Sequence, residues 1–162
     1  MSTENEFRSG FVAIVGRPNT GKSTLVNALV GSKVVITSPH PNTTRHAIRG
    51  IVNEPDFQAI LVDTPGVHKP KTLLGKRLNA VVEESLDSVD VIIICLPADE
   101  ESGAGDQYII DEIAKHPRSK KIALVTKTDL ISKANLATRL ASIMAMAKGF
   151  TWDEIVPVSA AT

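Results

Sequence analysis

The feature that most constrains this chain is an interruption. An apolar run, Phe11 to Val15 (FVAIV), gives way to GRPNTGKST at residues 16–24, and then to LVNALVG, Leu25 to Gly31. The first run is strand-like, and the last has helical spacing with a glycine stop. Gly16, Gly21, Lys22 and Ser23 match the pattern G-x-x-x-x-G-K-[ST]. Here the pattern follows a strand and opens a helix, the context that gives it meaning. The glycines let the backbone curl until successive N–H groups point inward, and a helix N-terminus adds its own donors. A loop of Gly16, Arg17, Pro18, Asn19, Thr20, Gly21, Lys22, Ser23 and Thr24 therefore suits a phosphate anion. Lys22 can reach β- and γ-phosphates, and the Ser23 hydroxyl can ligate Mg²⁺. The alternative is a glycine turn of structural use only.

Further apolar runs occur at Ile48 to Asn53, Gln58 to Asp63, Val91 to Leu96, Ile122 to Thr126 and Ile155 to Val158. Most are continuous Val/Ile/Leu runs, as expected of strands covered on both faces. EPDF between the second and third strands suits a tight hairpin, so one strand pair is expected to be antiparallel. Helical stripes alternate with the strands. One is Leu74, Leu78, Val81, Val82 and Leu86, and another is Ile109, Ile110 and Ile113. A third is Leu136, Leu140, Ile143, Met144 and Ala147, ending at Gly149, with its methionines expected in the core. The fold class that follows is α/β, a mainly parallel sheet with one antiparallel strand and helices on both faces. Ligands of such sheets bind beyond the carboxyl ends of the strands. Two polar, proline-broken stretches interrupt the alternation, Thr37 to Ala47 and Thr64 to Leu73, either functional segments or ordinary surface loops.

At 162 residues the length suits one domain with a real core. With 18 basic and 18 acidic side chains the formal net charge is zero, so no global field selects nucleic acid or a membrane. A local basic run, KHPRSKK (Lys115 to Lys121), is a contact patch or a solvated loop, and the second is expected. The single cysteine, Cys95, lies in VIIIC; it can form no internal disulfide and is expected to be buried, which suits a reducing compartment. No apolar run approaches the ~20 residues of a membrane helix. The polar start, MSTENEFRSG, lacks a signal-peptide core. Residues 1–9 are expected to be a flexible N-terminus and residues 10–162 one domain.

Three further elements each end a strand. TKTD, Thr126 to Asp129, places a carboxylate where it could accept from N1–H and the 2-amino group of guanine. Adenine offers neither donor, and a buried acceptor left unpaired discriminates by ~10⁴ or more. The stem of Lys127 could cover the base; a helix-capping Asp129 is the alternative. DTPG, Asp63 to Gly66, offers Asp63 for Mg²⁺ and the Gly66 N–H for a γ-phosphate, or else a plain turn. SAA, Ser159 to Ala161, could present the Ala160 N–H to guanine O6.

The four elements occur in the order seen in translation-factor-class GTPases. GRPNTGKSTLVNALVG, SPHPNTTRH and DTPGVHKPKT resemble the Era family, bacterial GTPases linked to small-subunit ribosome assembly, over roughly Gly10 to Ala161. The resemblance implies a P-loop GTPase fold that hydrolyses GTP to GDP with Mg²⁺. It implies a first switch at Asn42 to His46, with one of Thr43 and Thr44 binding Mg²⁺ beside Ser23 and Asp63. Lys22, Thr44, Gly66 and Asn19 become the candidate catalytic residues, with Asn19 either holding K⁺ or bonding its own loop backbone. It also implies 16S rRNA and the small ribosomal subunit as partners, through a C-terminal KH domain that this sequence does not contain. A cytoplasmic monomer is implied, with peripheral association at the inner face of the cell membrane in full-length members. Two departures stand out. Thr126 occupies a position where the family usually has Asn, and Val67 follows DTPG where many GTPases place a water-orienting Gln. That valine leaves open a nucleotide-dependent binding module with negligible hydrolysis. An ATP-using P-loop kinase is a third reading, against which Asp129 argues.

Overall fold

The computed structural model describes residues 6–30, 48–62, 73 and 83–159. Six strands form one sheet: β1 (Arg8–Val15), β2 (Ile48–Asn53), β3 (Phe57–Val62), β4 (Val91–Pro97), β5 (Lys120–Thr126) and β6 (Glu154–Pro157). Their order across the sheet is β2-β3-β1-β4-β5-β6. Among the described strands only β2 and β3 pair antiparallel; every other neighbour is parallel. The hairpin forms as expected, closed by Glu54 N–H donating to the Phe57 carbonyl at 2.9 Å. Three helices are described in full: α1 (Lys22–Val30), α2 (Ala104–Ile113) and α3 (Lys133–Met146). A further helical segment occupies residues 83–87.

Alternation along the strands divides the core in two. Ala13 and Val15 of β1, Ile92, Ile94 and Leu96 of β4, and Ala123 and Val125 of β5 share one cluster. That cluster also holds Leu86, the Ile109, Ile110 and Ile113 stripe of α2, and Ile143 of α3. The intervening residues, Ile14, Cys95 and Leu124, turn to the other face and meet Leu25 and Val26 of α1. Each strand thus needs apolar side chains at successive positions, which is why the runs read as continuous. Each fully buried Ile or Leu contributes roughly 1.5–3 kcal/mol relative to exposure. Cys95 is fully buried, and burial pushes its thiol up to about 12.

Several boundaries differ from those read in the sequence. β1 begins at Arg8, because Arg8 and Ser9 pair with Phe57 and Gln58 across the sheet, so the strand takes in the last two residues of the expected flexible start. α1 begins at Lys22 inside the glycine-rich stretch. In the α3 stripe Leu136 and Leu140 pack on the core, but Met144 is 64% exposed and Ala147 lies past the helix end. The fit of Met144 to a helical stripe did not decide its side, because the buried arc centres on Leu136, Leu140 and Ile143. Leu74, Leu78, Val81 and Val82 lie outside the described residues.

The basic run also divides. Arg118 and Lys120 are exposed, whereas Lys121 is buried at the start of β5. The Lys121 ammonium donates to the carbonyls of His116 and Ser119 at 2.7 and 2.9 Å and lies over the Phe150 ring. Burial lowers its pKa from the ordinary lysine value. A solvated loop is therefore not what the whole run forms, since the strand register turns Lys121 inward. Among the described residues no helix is long and apolar enough to cross a membrane.

Candidate phosphate- and base-binding loops

The loop after β1 is shaped by backbone that few residues tolerate. Gly16 has φ 153°, and a Cβ there would sit 2.9 Å from Thr20 Oγ1 and 3.0 Å from the Cys95 carbonyl oxygen. Gly21 has φ 96°, with the Thr126 side chain 3.5 Å from where its Cβ would lie. Asn19 also has positive φ, 63°, which Asn tolerates better than most residues. Thr20 is almost wholly buried and donates from Oγ1 to the Arg17 carbonyl at 2.8 Å, closing the curl. Lys22 folds its ammonium back onto the loop, donating to the carbonyls of Gly16 and Arg17. Pro18, Ser23 and Thr24 are exposed at the rim, where α1 presents its N-terminal end.

Arg17 points elsewhere. Its Nε donates to Asp106 Oδ1 at 2.8 Å and its second guanidinium nitrogen to Glu100 Oε2 at 3.3 Å. Asp106 is fully buried in the first turn of α2, where it also accepts from the Gly103 N–H at 3.2 Å. The Asp106 hydrogen bond raises the guanidinium pKa above its ordinary value. The structure thus gives Arg17 an anchoring task, tying the loop to α2. Sequence reasoning missed Asp106, which lies 89 positions away in a helix and carries no motif.

The loop after β5 leans on the first. Thr126 is buried and donates from Oγ1 to the Thr20 carbonyl at 2.6 Å. Lys127, at φ 58°, reaches across to donate from Nζ to the Asn19 carbonyl at 3.0 Å. Asp129 sits in a single 3-10 turn, Thr128–Leu130, whose N-cap is Lys127, so it does not cap a helix. Its carboxylate is exposed and accepts from Ser159 Oγ at 2.8 Å. Thr128 Oγ1 donates to the Val158 carbonyl at 3.0 Å. The ends of β1, β5 and β6 are thereby joined at one edge, bringing Lys22, Thr126, Lys127, Asp129 and Ser159 together. Asn42, Thr43, Thr44, Asp63, Gly66, Val67, Ala160 and Ala161 lie outside the described residues.

A six-stranded sheet whose carboxyl edge carries a glycine-rich phosphate loop and a second loop tied to it defines a P-loop GTPase domain. The chain belongs to the 50S ribosome-binding GTPase family, whose sequence model matches residues 11–128. It is similar to GTPase Era of Nocardioides sp., 59% identical over 155 residues, covering 94% of this chain and 50% of that protein. Among solved structures it is similar to Era in complex with MgGDPNP and nucleotides 1506–1542 of 16S ribosomal RNA. That match has 37% identity and TM-score 0.76, covering 96% of this chain and 52% of that one. An Aquifex aeolicus Era variant bound to GDP·AlF4− matches at 36% identity and TM-score 0.73, covering 94% and 51%. The chain spans about half the length of the curated relatives it matches.

Proposed function

We propose that this domain is a guanine-nucleotide switch that binds GTP with Mg²⁺ and hydrolyses it to GDP and phosphate. The observation that carries the reading is the pair of contacts from Thr126 and Lys127 to the phosphate loop. They bring the Asp129 carboxylate and the Lys22 ammonium to one edge, which supports a base-reading role for the first and a phosphate-binding role for the second. Lys22 would leave the Gly16 and Arg17 carbonyls for the β- and γ-phosphates, and α1 would add its N-terminal donors. Asp129, already oriented by Ser159, would accept from the guanine N1–H and 2-amino group, and Ala160 would donate to O6. Ser23, Asp63 and one of Thr43 and Thr44 would hold Mg²⁺, which neutralises phosphate charge when bound. Gly66 would meet the γ-phosphate. Hydrolysis forms a bond from a water oxygen to the γ-phosphorus and breaks the bond to the β–γ bridging oxygen, the water's protons passing to phosphate and solvent.

With Val67 following DTPG, the attacking water must be oriented by another group, and transition-state charge calls for a cation beside Mg²⁺. Asn19 suits a K⁺ ligand. Its side chain is exposed and makes no hydrogen bond among the described residues, while its backbone carbonyl is the atom Lys127 uses. Val67 also favours a second reading, a nucleotide-dependent binding module whose hydrolysis awaits a partner. In the longer protein the switch would couple to 16S rRNA and small-subunit assembly through a KH domain, in the cytoplasm or peripherally at the membrane's inner face, as a monomer. The test is single-turnover hydrolysis of GTP and ATP with Mg²⁺, in matched KCl and NaCl at constant ionic strength. GTP-selective turnover, faster in KCl and losing that preference in Asn19→Ala, is expected. ATP turnover equal to that of GTP would overturn the base assignment. Tight GTP binding without turnover would leave the binding module.

A further inference from the structure

Two pairs of side chains join the helical segment 83–87 to the far end of α2. Glu83 and Asp87 are four positions apart and share one face of the segment. Their partners are also four apart: Glu112 in the last turn of α2, and His116 just past it. Glu83 is hydrogen-bonded to Glu112, and Asp87 Oδ1 lies 2.6 Å from His116 Nδ1. The first turn of α2 carries Asp106, the partner of Arg17. These pairs therefore sit at the opposite end of the helix that anchors the phosphate loop.

A proton acts differently on the two pairs. The His116 side chain is 5% exposed, and its Nε2 is buried with no partner among the described residues. With Nδ1 donating to Asp87, a further proton on Nε2 would have no acceptor, so this contact is complete with one ring proton. At the other pair two carboxyls meet. They repel when both are charged, and with one proton between them one donates to the other. Glu112 is 9% exposed and also accepts from the Lys115 ammonium at 2.8 Å. Glu83 is exposed and is the carboxyl that takes the proton. Its hydrogen bond with Glu112 raises it above the ordinary glutamate value; burial and the Glu112 charge act in the same sense, and Lys115 and His116 oppose them. Other charged groups stand nearby. Arg118 shares a cavity of about 210 Å³ with Asp87 and His116, and the His116 carbonyl accepts from Lys121. Asp90 and Lys120 line the neighbouring groove with Asp87, and Glu84 is exposed on the segment itself.

We propose that Glu83 and Glu112 form a proton-operated latch between segment 83–87 and α2, closed when the two carboxyls share one proton and open when both are charged. The Asp87–His116 bond persists in both states. A carboxyl raised in the folded state stabilises the fold fully below its unfolded value, and that contribution is lost as pH rises through the raised folded value. The latch therefore loosens from mildly acid to neutral pH. It does not depend on the function proposed for the nucleotide edge.

The test is the thermal melt of wild type, Glu83→Gln and Glu84→Gln between about pH 4.5 and pH 8 at constant ionic strength. The new amide donates to Glu112 at every pH. Glu83→Gln is therefore expected to melt about 1–3 °C above wild type at pH 8 and level with it at pH 4.5. Glu84→Gln makes the same charge change one position away, and its offset from wild type is expected to vary much less with pH. Carboxyl ¹³C NMR is expected to show Glu83 titrating above the ordinary glutamate value and returning to it in Glu112→Ala. Amide protection in residues 83–87, corrected for intrinsic exchange, is expected to fall from pH 5 to pH 8 in wild type and to stay level in Glu83→Gln. A Glu83→Gln melt that tracks wild type at every pH overturns the proposal, as does an equal pH-dependent offset from Glu84→Gln. So does a Glu83 carboxyl that titrates at the ordinary value beside an intact Glu112, or wild-type protection that stays level across the same range.

Discussion

The candidate phosphate loop and the candidate base loop sit at the same edge but are held by different means. Curl in the phosphate loop comes from its own residues. Thr20 bonds to Arg17 three positions away, and Lys22 bonds to Gly16 and Arg17, six and five positions away. Contacts that fix the base loop come from far along the chain. Thr126 and Thr20 are 106 positions apart, Lys127 and Asn19 are 108 apart, and Asp129 and Ser159 are 30 apart. A locally closed loop keeps its shape wherever its strand and helix are placed. A loop closed by distant partners has its geometry only when the whole sheet is assembled, so damage to it is expected to spread.

The largest effect should follow from the local loop's own cation. If Lys22 is the phosphate ligand proposed above, Lys22→Ala removes charge-assisted contacts at ~1.5–3 kcal/mol each, so GTP and GDP affinity should collapse together while the chain stays folded. Calorimetric titration with a parallel melt checks this, and unchanged affinity would remove Lys22 from the site.

Asp129→Asn should separate the two loops. The phosphate loop is untouched, so xanthine nucleotides, whose 2-oxo group can accept from the new amide, should bind. Guanine nucleotides should weaken by about a hundredfold or more, because the site is left with mismatched donors. Competition between GDP and XDP measures it, and GDP binding as tight as wild type would mean that Asp129 does not read the base.

A smaller loss is expected at the long-range anchor of the phosphate loop. Asp106→Ala removes a buried hydrogen bond to a charged group and should cost about 1.5–3 kcal/mol of stability. Urea denaturation reports the stability. Arg17→Ala should then add little in the same background, because the two residues share one interaction.

Thr126→Val should give the smallest change. It keeps the shape of the side chain but leaves the Thr20 carbonyl without its donor, at about 1–2 kcal/mol. If the two loops act as one unit, GDP affinity should fall along with stability. A stability loss with unaltered GDP affinity would break the comparison, since it would show that the base loop does not need its tie.

The strands and most of the helices were legible because burial on both faces writes continuous apolar runs into β1, β4 and β5. The hairpin was legible from EPDF, and the phosphate loop from its glycine spacing. Asp129 was legible as a residue, but its orientation by Ser159 was not, because neither side chain has a local signal. The exposure of Met144, the inward turn of Lys121 and the pairing of Arg17 with Asp106 depend on register and helix rotation. A periodicity of 3.6 or 2 limits these without fixing them.

By itself the sequence determined the alternation of strands and helices, the curl after β1 and the residue types that could meet a phosphate and a guanine. Those properties depend on neighbours within a few positions, through backbone freedom at Gly16 and Gly21 and the spacing of apolar side chains. Tertiary structure decided which distant residues meet. It seated Thr126 against Thr20 and drew Arg17 away to Asp106. The physical reason is that these meetings follow from the strand order β2-β3-β1-β4-β5-β6. That order is set by how the two core clusters pack, and no short stretch of the chain encodes it.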